Sequence, residues 1–223
     1  GAISGHSVGE ITAAAAAGVL SAQDAMTFVA LRGRGMAQAS AATPTGMSAV
    51  LGGDPVEVLA AIAAAGLTPA NNNGAGQIVA AGTLDQIQVL VDAPPTKARV
   101  IPLKVAGAFH TEHMAPAVAD LAAAATRLAT HRANVPVVSN RDGAVVDDGA
   151  EVLSRLVSQV SNPVRWDLCM ERLAELGVTG LIELPPSGTL VGLAKRGLKG
   201  VQTLAVKTPD DLEAARTMIE EHA

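Results

Sequence analysis

The sequence predicts an α/β protein in which a parallel sheet covered by helices carries an inserted ferredoxin-like subdomain. Three observations predict this fold. Hydrophobic residues make up 49% of the 223 residues, which is enough for a substantial core. Helix-like and strand-like segments alternate along most of the chain, as in sheets with helices on both faces. After about residue 47 the segments shorten and follow the order β-α-β-β-α-β of a split βαβ unit.

Two helices are predicted before the insert. Val8 to Ala17 is rich in helix formers, and Gly18 follows where a helix end favours a left-handed residue. Ser21 caps the second helix, and Asp24 adds a favourable N-terminal charge. Apolar residues surround this second helix on nearly all sides, which predicts that it is buried all round.

The inserted subdomain is predicted over residues 43–105. Its strands are expected in "MSAVLGG", on both sides of the Asn/Gly loop of "LTPANNNGAGQIVAAG", and in "ARVIPLKVAG". Its helices are expected in "PVEVLAAIAAAG" and "TLDQIQVLVDA". The α/β core then consists of residues 1–42 and 106–223.

The remainder of the core returns to larger alternating units. Strands are predicted in "VPVVSN", "GLIELPP" and "VQTLAV". Helices are predicted over about 112–130, 151–160, 165–176 and 189–197, and from 209 onward.

Composition argues against several partners and compartments. A net charge of −5 and only three aromatic residues, two Phe and one Trp, make nucleic acid an unexpected partner. No signal peptide and no apolar run of 18 residues is present, so no membrane partner is expected. The single cysteine, Cys169, cannot form an internal disulfide, and its apolar neighbours are typical of core packing. We expect a reduced, cytoplasmic protein that acts as a monomer.

The motif "GHSVG" at residues 5–9 fits G-x-S-x-G, the nucleophile elbow, in which a sharp strand-to-helix turn exposes the serine. The glycines on both sides of Ser7 are expected to relieve crowding in that turn. The following helix directs its N-terminal amides at an oxyanion formed on Ser7, and the Val8 amide is the nearest donor. The bare pattern is common by chance, so a glycine-rich turn without chemistry is the alternative.

A serine nucleophile needs a base, and five histidines are available. His110 is the best candidate because it stands in "VAGAFHTEHM", where an apolar strand gives way to a helix start. A structural histidine is the alternative at this position. His6 points away if Ser7 is the nucleophile, and His131 and His222 lie in polar settings. His110 and His113 also fit H-x-x-H, but no further ligand has useful spacing, so no metal site is expected.

Arg32 is a charged residue on an apolar helix. A guanidinium keeps its charge and therefore needs an anion, and the nearest acid on the helix, Asp24, is two turns away. Either a distant protein carboxylate or a ligand carboxylate would satisfy it, and the fork of donors suits the latter.

Six segments together resemble the malonyl-CoA:acyl-carrier-protein transacylases. In order they are "GHSVGE", "LRGRGM", "NNNGAGQIVAAG", "GAFHTEHM", "QVSNPVRW" and "PPSGTLVGLAKR". The resemblance implies a hydrolase-like core with a ferredoxin-like subdomain. It also implies Ser7 as the nucleophile, His110 as its base and Arg32 as the clamp on the malonyl carboxylate. In place of an Asp, the main-chain carbonyl of Gln159 is expected to orient the histidine.

The resemblance also bears on substrate choice. "AFH" is similar to the malonyl-selective form, in which Phe109 fills the space that the methyl of methylmalonyl would need, although packing discriminates by only about 1–3 kcal/mol per methyl. Asn71 and Asn73 match an Asn-x-Asn near the cleft of the family, and turn residues are the alternative. "PPSGT" departs from a more usual Gly-Pro-Gly-like sequence, which leaves the shape of that loop open.

The activity implied is transfer of malonyl from coenzyme A to an acyl carrier protein in fatty acid synthesis, with malonyl-CoA as substrate and no cofactor. Carrier proteins are acidic, and Lys195, Arg196 and Lys199 form a candidate docking patch, with a solvated helix end as the alternative. Three alternative hypotheses for the function are a polyketide synthase acyltransferase, an inactive fragment and a serine esterase. The esterase is disfavoured because its histidine normally comes late, whereas roughly half of the chain follows His110.

Family members carry a further segment before the elbow, with a Gln that helps to form the oxyanion hole, whereas six residues precede Ser7 here. We therefore expect low activity from these residues alone, since one lost oxyanion donor costs about 10² to 10³ in rate.

Overall fold

The computed structural model describes residues 1–222, which form ten strands and nine α-helices. The strands are β1 (Ile3–Ser4), β2 (Thr45–Gly52), β3 (Thr68–Asn72), β4 (Gln77–Thr83), β5 (Ala98–Pro102), β6 (Val137–Val138), β7 (Val145–Val146), β8 (Val164–Arg165), β9 (Gly180–Glu183) and β10 (Gln202–Ala205). The helices are α1 (Gly9–Ala16), α2 (Ala22–Ala42), α3 (Pro55–Ala64), α4 (Leu84–Asp92), α5 (Ala115–Ala125), α6 (Gly149–Gln159), α7 (Trp166–Glu175), α8 (Thr189–Gly197) and α9 (Leu212–Glu221). The mixed α/β composition agrees with the sequence prediction.

The chain divides into two compact units between Cys169 and Met170, within α7. The first unit holds the sheet β1-β6-β7 and the five-stranded sheet β5-β2-β4-β3-β8. The second holds the parallel pair β9 and β10. The limits 43–105 given for the insert stay a prediction.

The four strands β2 to β5 form an antiparallel sheet in the spatial order β5-β2-β4-β3, and α3 and α4 connect them. This is the βαββαβ arrangement that the sequence indicates. Both helices are well capped: Asp54 accepts two amides of α3, and Thr83 and Gln86 form a capping box on α4. A fifth strand, β8, joins the β3 edge in parallel. It was not predicted, and the helix expected from Arg165 begins at Trp166.

Both faces of this sheet are buried. One face packs with α3 and α4 through Val50, Ile78 and other apolar side chains. The opposite face, which includes Met47 and Val79, packs against Ala108 and Phe109. The alternation of side chains along a strand produces these two layers. The second layer fixes the segment that leads directly into His110.

The elbow begins at β1, which pairs in parallel with β6, Ile3 opposite Val137, while β6 pairs antiparallel with β7. In this sheet, the predicted parallel pairing is therefore limited to the two-residue pair of β1 and β6. Its core gathers α1, α2, α5 and α6 around Phe28, Met114 and Leu156.

Helix α2 presents one buried stripe, and the prediction that it is buried all round is wrong. The buried positions recur at helical spacing: Ala25, Phe28, Arg32, Met36 and Ala39. Met26, on another face, is 66% exposed. The apolar residues of the outer face misled the prediction because many of them are small. Arg32 nevertheless lies in the buried stripe.

Helix α8 of the second unit is capped by a carboxylate. Glu183, at the end of β9, is buried and accepts hydrogen bonds from the amides of Gly188, Leu190 and Val191 at 2.8–2.9 Å. These are the amides that a helix leaves unpaired at its first turn. The "PPSGT" loop is therefore wrapped around an internal acid. No helix within residues 1–222 has the length and apolar character to span a membrane.

Candidate active site

The turn between β1 and α1 places Ser7 in a left-handed backbone conformation, with φ at 53°. A Cβ on Gly5 would lie 2.0 Å from the Gly9 carbonyl oxygen, so only glycine fits there. A Cβ on Gly9 would meet nothing within 4 Å. The expectation that both glycines relieve crowding is therefore right for Gly5 and wrong for Gly9.

Asn140 binds the elbow on both sides of the serine. Its Oδ1 accepts from the Ser7 amide at 2.7 Å, and its Nδ2 donates to the Gly5 carbonyl at 2.8 Å. The side chain is fully buried just beyond the end of β6. Sequence reasoning missed this residue, although a polar side chain directly after an apolar strand was a signal for it.

His110 meets the serine through Nε2, which lies 2.7 Å from Ser7 Oγ. Its Nδ1 lies 2.9 Å from the main-chain oxygen of Gln159. Because a carbonyl oxygen only accepts, Nδ1 carries the proton, and the Nε2 lone pair is left to accept from the Ser7 hydroxyl. His110 is itself left-handed, with φ at 62°, and its amide donates to the Val160 carbonyl at 3.2 Å.

Burial, aided by the positive charge of Arg32, lowers the pKa of His110 to about 4, although the hydrogen bond to the Gln159 carbonyl opposes the shift. The imidazole is consequently neutral at physiological pH. A neutral imidazole is the form that can accept a proton.

Arg32 reaches the same point from α2. Its Nη2 donates to Ser7 Oγ at 3.1 Å and to Gln159 Oε1 at 3.2 Å. The side chain is 6% exposed, and its Nε has no acceptor within residues 1–222. Burial lowers its pKa to about 10, which still leaves it charged at pH 7. A buried cation with unused donors beside a nucleophile is suited to an anionic ligand.

Glu10 and the side chain of Gln159 complete the buried network, and neither was predicted to have this role. Glu10 Oε2 accepts from Gln159 Nε2 at 2.5 Å, and Glu10 Oε1 accepts from the Asn140 amide at 2.8 Å. Gln159 Nε2 also donates to the Ser7 carbonyl at 3.0 Å. Burial raises the pKa of Glu10, and these hydrogen bonds oppose that shift. An acid on the buried face of α1 was the available signal.

The amides of the elbow have different partners. The Ser7 amide is bound by Asn140, whereas the Val8 amide has no acceptor within residues 1–222, and Val8 is 47% exposed. Of these two donors, Val8 is the one free to bind an oxyanion on a substrate attached to Ser7.

The other polar candidates lie in the elbow and in and after β3. His6 Nε2 is 2.8 Å from Asn73 Oδ1, and its ring lies 5.5 Å from the Trp166 ring, so His6 makes no bond with Ser7. Asn71 is buried within β3. Asn72 acts as a turn residue, because its Oδ1 accepts a hydrogen bond from the Gly74 amide.

Phe109 is partly buried beside His110 and packs against the second face of the ferredoxin-like sheet and against the core formed by α1, α2, α5 and α6. Cys169 is fully buried, and burial raises its pKa to about 12, so its thiol stays protonated. Within residues 1–222, no three His, Cys, Asp or Glu side chains stand close enough together to hold a metal ion.

Comparison with known proteins defines the class. The model of the acyl transferase domain family matches residues 1–219, and the chain belongs to that family. The malonyl CoA-acyl carrier protein transacylase of Mycobacterium tuberculosis is 56% identical over 211 residues, which cover 95% of this chain and 70% of that protein. Within the family, the chain belongs to the malonyl CoA-acyl carrier protein transacylases.

Solved structures agree with this placement. The crystal structure of the transacylase MCAT from Mycobacterium tuberculosis matches with a TM-score of 0.93 and 55% identity, over 96% of this chain and 70% of that one. A malonyl-transacylase in complex with its type II PKS acyl-carrier protein matches with a TM-score of 0.87 and 31% identity, over 96% and 71%. The predicted fold class, a hydrolase-like α/β core with a ferredoxin-like subdomain, is confirmed by these neighbours.

Replacing Gly5 by Ala tests the elbow. The new Cβ would overlap the Gly9 carbonyl, so we expect Gly5→Ala to lower the free energy of unfolding in urea by about 1–3 kcal/mol. Gly9→Ala is the matched control, because its Cβ enters open space. Equal destabilisation by the two variants would contradict this account of the turn.

The low pKa of His110 predicts a pH-dependent stability. Its folded pKa of about 4 lies below the ordinary 6.5, so its contribution is complete above pH 6.5 and is lost as the pH falls toward 4. Between pH 7 and pH 5 we expect the wild type to lose about 2 kcal/mol more than His110→Gln, measured by urea unfolding. A difference between the two proteins that does not change with pH would refute the shift.

Proposed function

We propose that the chain transfers a malonyl group from coenzyme A to the phosphopantetheine thiol of an acyl carrier protein, in fatty acid synthesis, through a malonyl-serine intermediate. One observation carries the proposal: Ser7 Oγ lies 2.7 Å from His110 Nε2 and 3.1 Å from Arg32 Nη2. A nucleophile, a neutral base and a buried cation therefore meet at one atom. Relatives named as transacylases of this substrate pair support the assignment.

In the first half-reaction, Ser7 Oγ attacks the thioester carbonyl while His110 Nε2 accepts the hydroxyl proton. The new C–O bond leaves an oxyanion, to which the Val8 amide donates. When the C–S bond breaks, His110 returns the proton to the departing thiolate of coenzyme A. The Gln159 carbonyl, 2.9 Å from Nδ1, holds the ring in position and stabilises the transient imidazolium.

In the second half-reaction, the carrier thiol gives its proton to His110 and attacks the malonyl-serine ester. The C–S bond forms, the ester C–O bond breaks, and His110 returns the proton to Ser7 Oγ. The acyl donor malonyl-CoA and the acyl acceptor, the carrier thiol, thus use one site in turn, as in ping-pong catalysis.

Arg32 binds the free carboxylate of the malonyl group in this proposal. Its unused Nε and its charge suit a carboxylate, and no protein carboxylate forms an ion pair with it within residues 1–222. The positive charge of Arg32 is one cause of the low pKa of His110, so a bound carboxylate would raise that pKa and make the imidazole a stronger base.

Three further residues complete the proposed substrate site. Phe109, beside the base, fills the space that a methyl branch on the malonyl group would require. Asn73, which contacts His6 of the elbow, and Asn71, which lies in β3, are assigned to substrate binding.

The carrier protein is the second proposed partner. A solved relative in complex with an acyl-carrier protein supports this assignment. Lys195, Arg196 and Lys199 are exposed at the end of α8 and form a basic patch that complements an acidic carrier. The cytoplasmic location, monomeric state and lack of a cofactor expected from the sequence belong to the same proposal.

Incubation with malonyl-CoA tests the function. We expect intact mass and peptide mapping to show one malonyl adduct on Ser7 that transfers to an added holo carrier protein, and no adduct in Ser7→Ala. Loss of the adduct to water before carrier is added would indicate an esterase. A folded wild-type protein without an adduct would overturn the proposal.

Arg32→Ala tests the carboxylate clamp. Loss of charge-assisted hydrogen bonds is expected to lower kcat/KM for malonyl-CoA by about 100-fold. The kcat/KM for acetyl-CoA, which lacks the carboxylate, should fall much less. The ratio of kcat/KM for malonyl-CoA to that for acetyl-CoA therefore falls. Arg34→Ala is the matched control, because Arg34 is exposed on the same helix. An unchanged ratio in Arg32→Ala would place the carboxylate elsewhere.

A further inference from the structure

Glu10 is a buried acid with two separate donors. It lies in the first turn of α1, is 3% exposed, and has no part in the transfer steps derived above. Glu183, another buried carboxylate, is accounted for by the cap on α8. A buried carboxylate is costly unless its oxygens are paired, and both Glu10 oxygens are paired with groups of the active site.

The first donor connects Glu10 to the elbow. The Asn140 amide donates to Glu10 Oε1 at 2.8 Å, and the side chain of the same residue binds the Ser7 amide and the Gly5 carbonyl. Glu10 thereby fixes the backbone of the residue that holds Ser7 in its left-handed conformation.

The second donor connects Glu10 to the base and the cation. Gln159 Nε2 donates to Glu10 Oε2, which directs Gln159 Oε1 toward Arg32 Nη2 at 3.2 Å. The main chain of Gln159 accepts from His110. One carboxylate therefore sets the orientation of the side-chain amide that joins Arg32 to the elbow, on the residue whose main chain holds His110.

We propose that Glu10 is a positioning residue for the transacylase reaction, which aligns Ser7 with His110 and Arg32 through Asn140 and Gln159. The inference rests on the proposed function for its substrate. The inventory of hydrogens supports it: two N–H donors face residue 10, and an ionised carboxylate offers an unprotonated acceptor oxygen to each. The negative charge also balances the buried Arg32, whose pKa it raises.

Glu10→Gln removes one acceptor and keeps the shape. The new amide can accept from Asn140 or from Gln159, and its NH₂ opposes the other donor. If Gln159 flips to compensate, its Nε2 faces the donor Nη2 of Arg32, and its Oε1 faces the Ser7 carbonyl. Every arrangement leaves a buried donor unpaired, and each disturbs either the elbow or the clamp.

The measurement is the single-turnover rate constant for modification of Ser7 by two probes, malonyl-CoA and an alkyl fluorophosphonate. The phosphonate forms an Oγ–P bond with loss of fluoride and needs no carboxylate clamp. We expect both rate constants to fall about 10- to 100-fold in Glu10→Gln, as for small misplacements of reacting groups. Glu10→Asp keeps the charge but reaches fewer donors, so its rate constants should be intermediate.

The matched control is Glu57→Gln, because Glu57 occupies the first turn of α3 and is exposed. It loses the same helix-dipole interaction, and its rate constants should equal those of the wild type. A purely structural role of Glu10 would lower the reactive fraction, seen as amplitude, and leave the rate constant unchanged. That outcome, or rate constants within about twofold of the wild type, would overturn the proposal.

Two further outcomes keep the tests separate. If Glu10→Gln does not fold, Glu10→Asp decides, and wild-type rate constants in that variant overturn the proposal. If the wild type reacts with the phosphonate but not with malonyl-CoA, the proposed function fails, and the phosphonate rates still decide the role of Glu10. A wild type that reacts with neither probe would overturn both.

Discussion

The hydrogen bonds from Asn140 to the elbow are the interaction on which the site depends. A non-glycine residue in the left-handed region costs free energy and persists only when its surroundings hold it there. Asn140 binds the amide of Ser7 and the carbonyl of Gly5, so the elbow cannot relax without losing two buried hydrogen bonds. The parallel pairing of β1 with β6 brings Asn140 to this position. The same bond occupies the Ser7 amide, whereas the Val8 amide has no acceptor within residues 1–222.

His110, the proposed base, is held in a similar way from the other side of the site. His110 is also left-handed, and its amide and its Nδ1 are bound by main-chain carbonyls at the end of α6. Ala108 and Phe109, just before it, are packed on the second face of the ferredoxin-like sheet. The ferredoxin-like sheet therefore fixes the backbone that leads into the proposed base.

The sequence predicted the fold class and most helices because capping residues and apolar periodicity are local signals, as at Asp54 and Thr83. The sequence also predicted three site residues from local patterns. Ser7 lies in a recognisable motif, His110 follows an apolar strand, and Arg32 is a charged residue on an apolar helix. Glu10 and Asn140 were missed because their roles come from pairing between distant segments. Helix α2 was misread because small apolar residues occur on exposed as well as buried faces, and β8 was missed because two residues carry too little pattern.

The carboxylate of Glu183 has a consequence for anion binding at the N-terminus of α8. A glycine-containing loop that leads into a helix is the usual cradle for phosphate, because unpaired amides and the positive end of the helix dipole converge there. In α8 three of those amides are already bound by an internal acid, whose charge lies at the positive end of the helix dipole. The start of α8 therefore presents a carboxylate and three occupied amides where a phosphate group would need free donors.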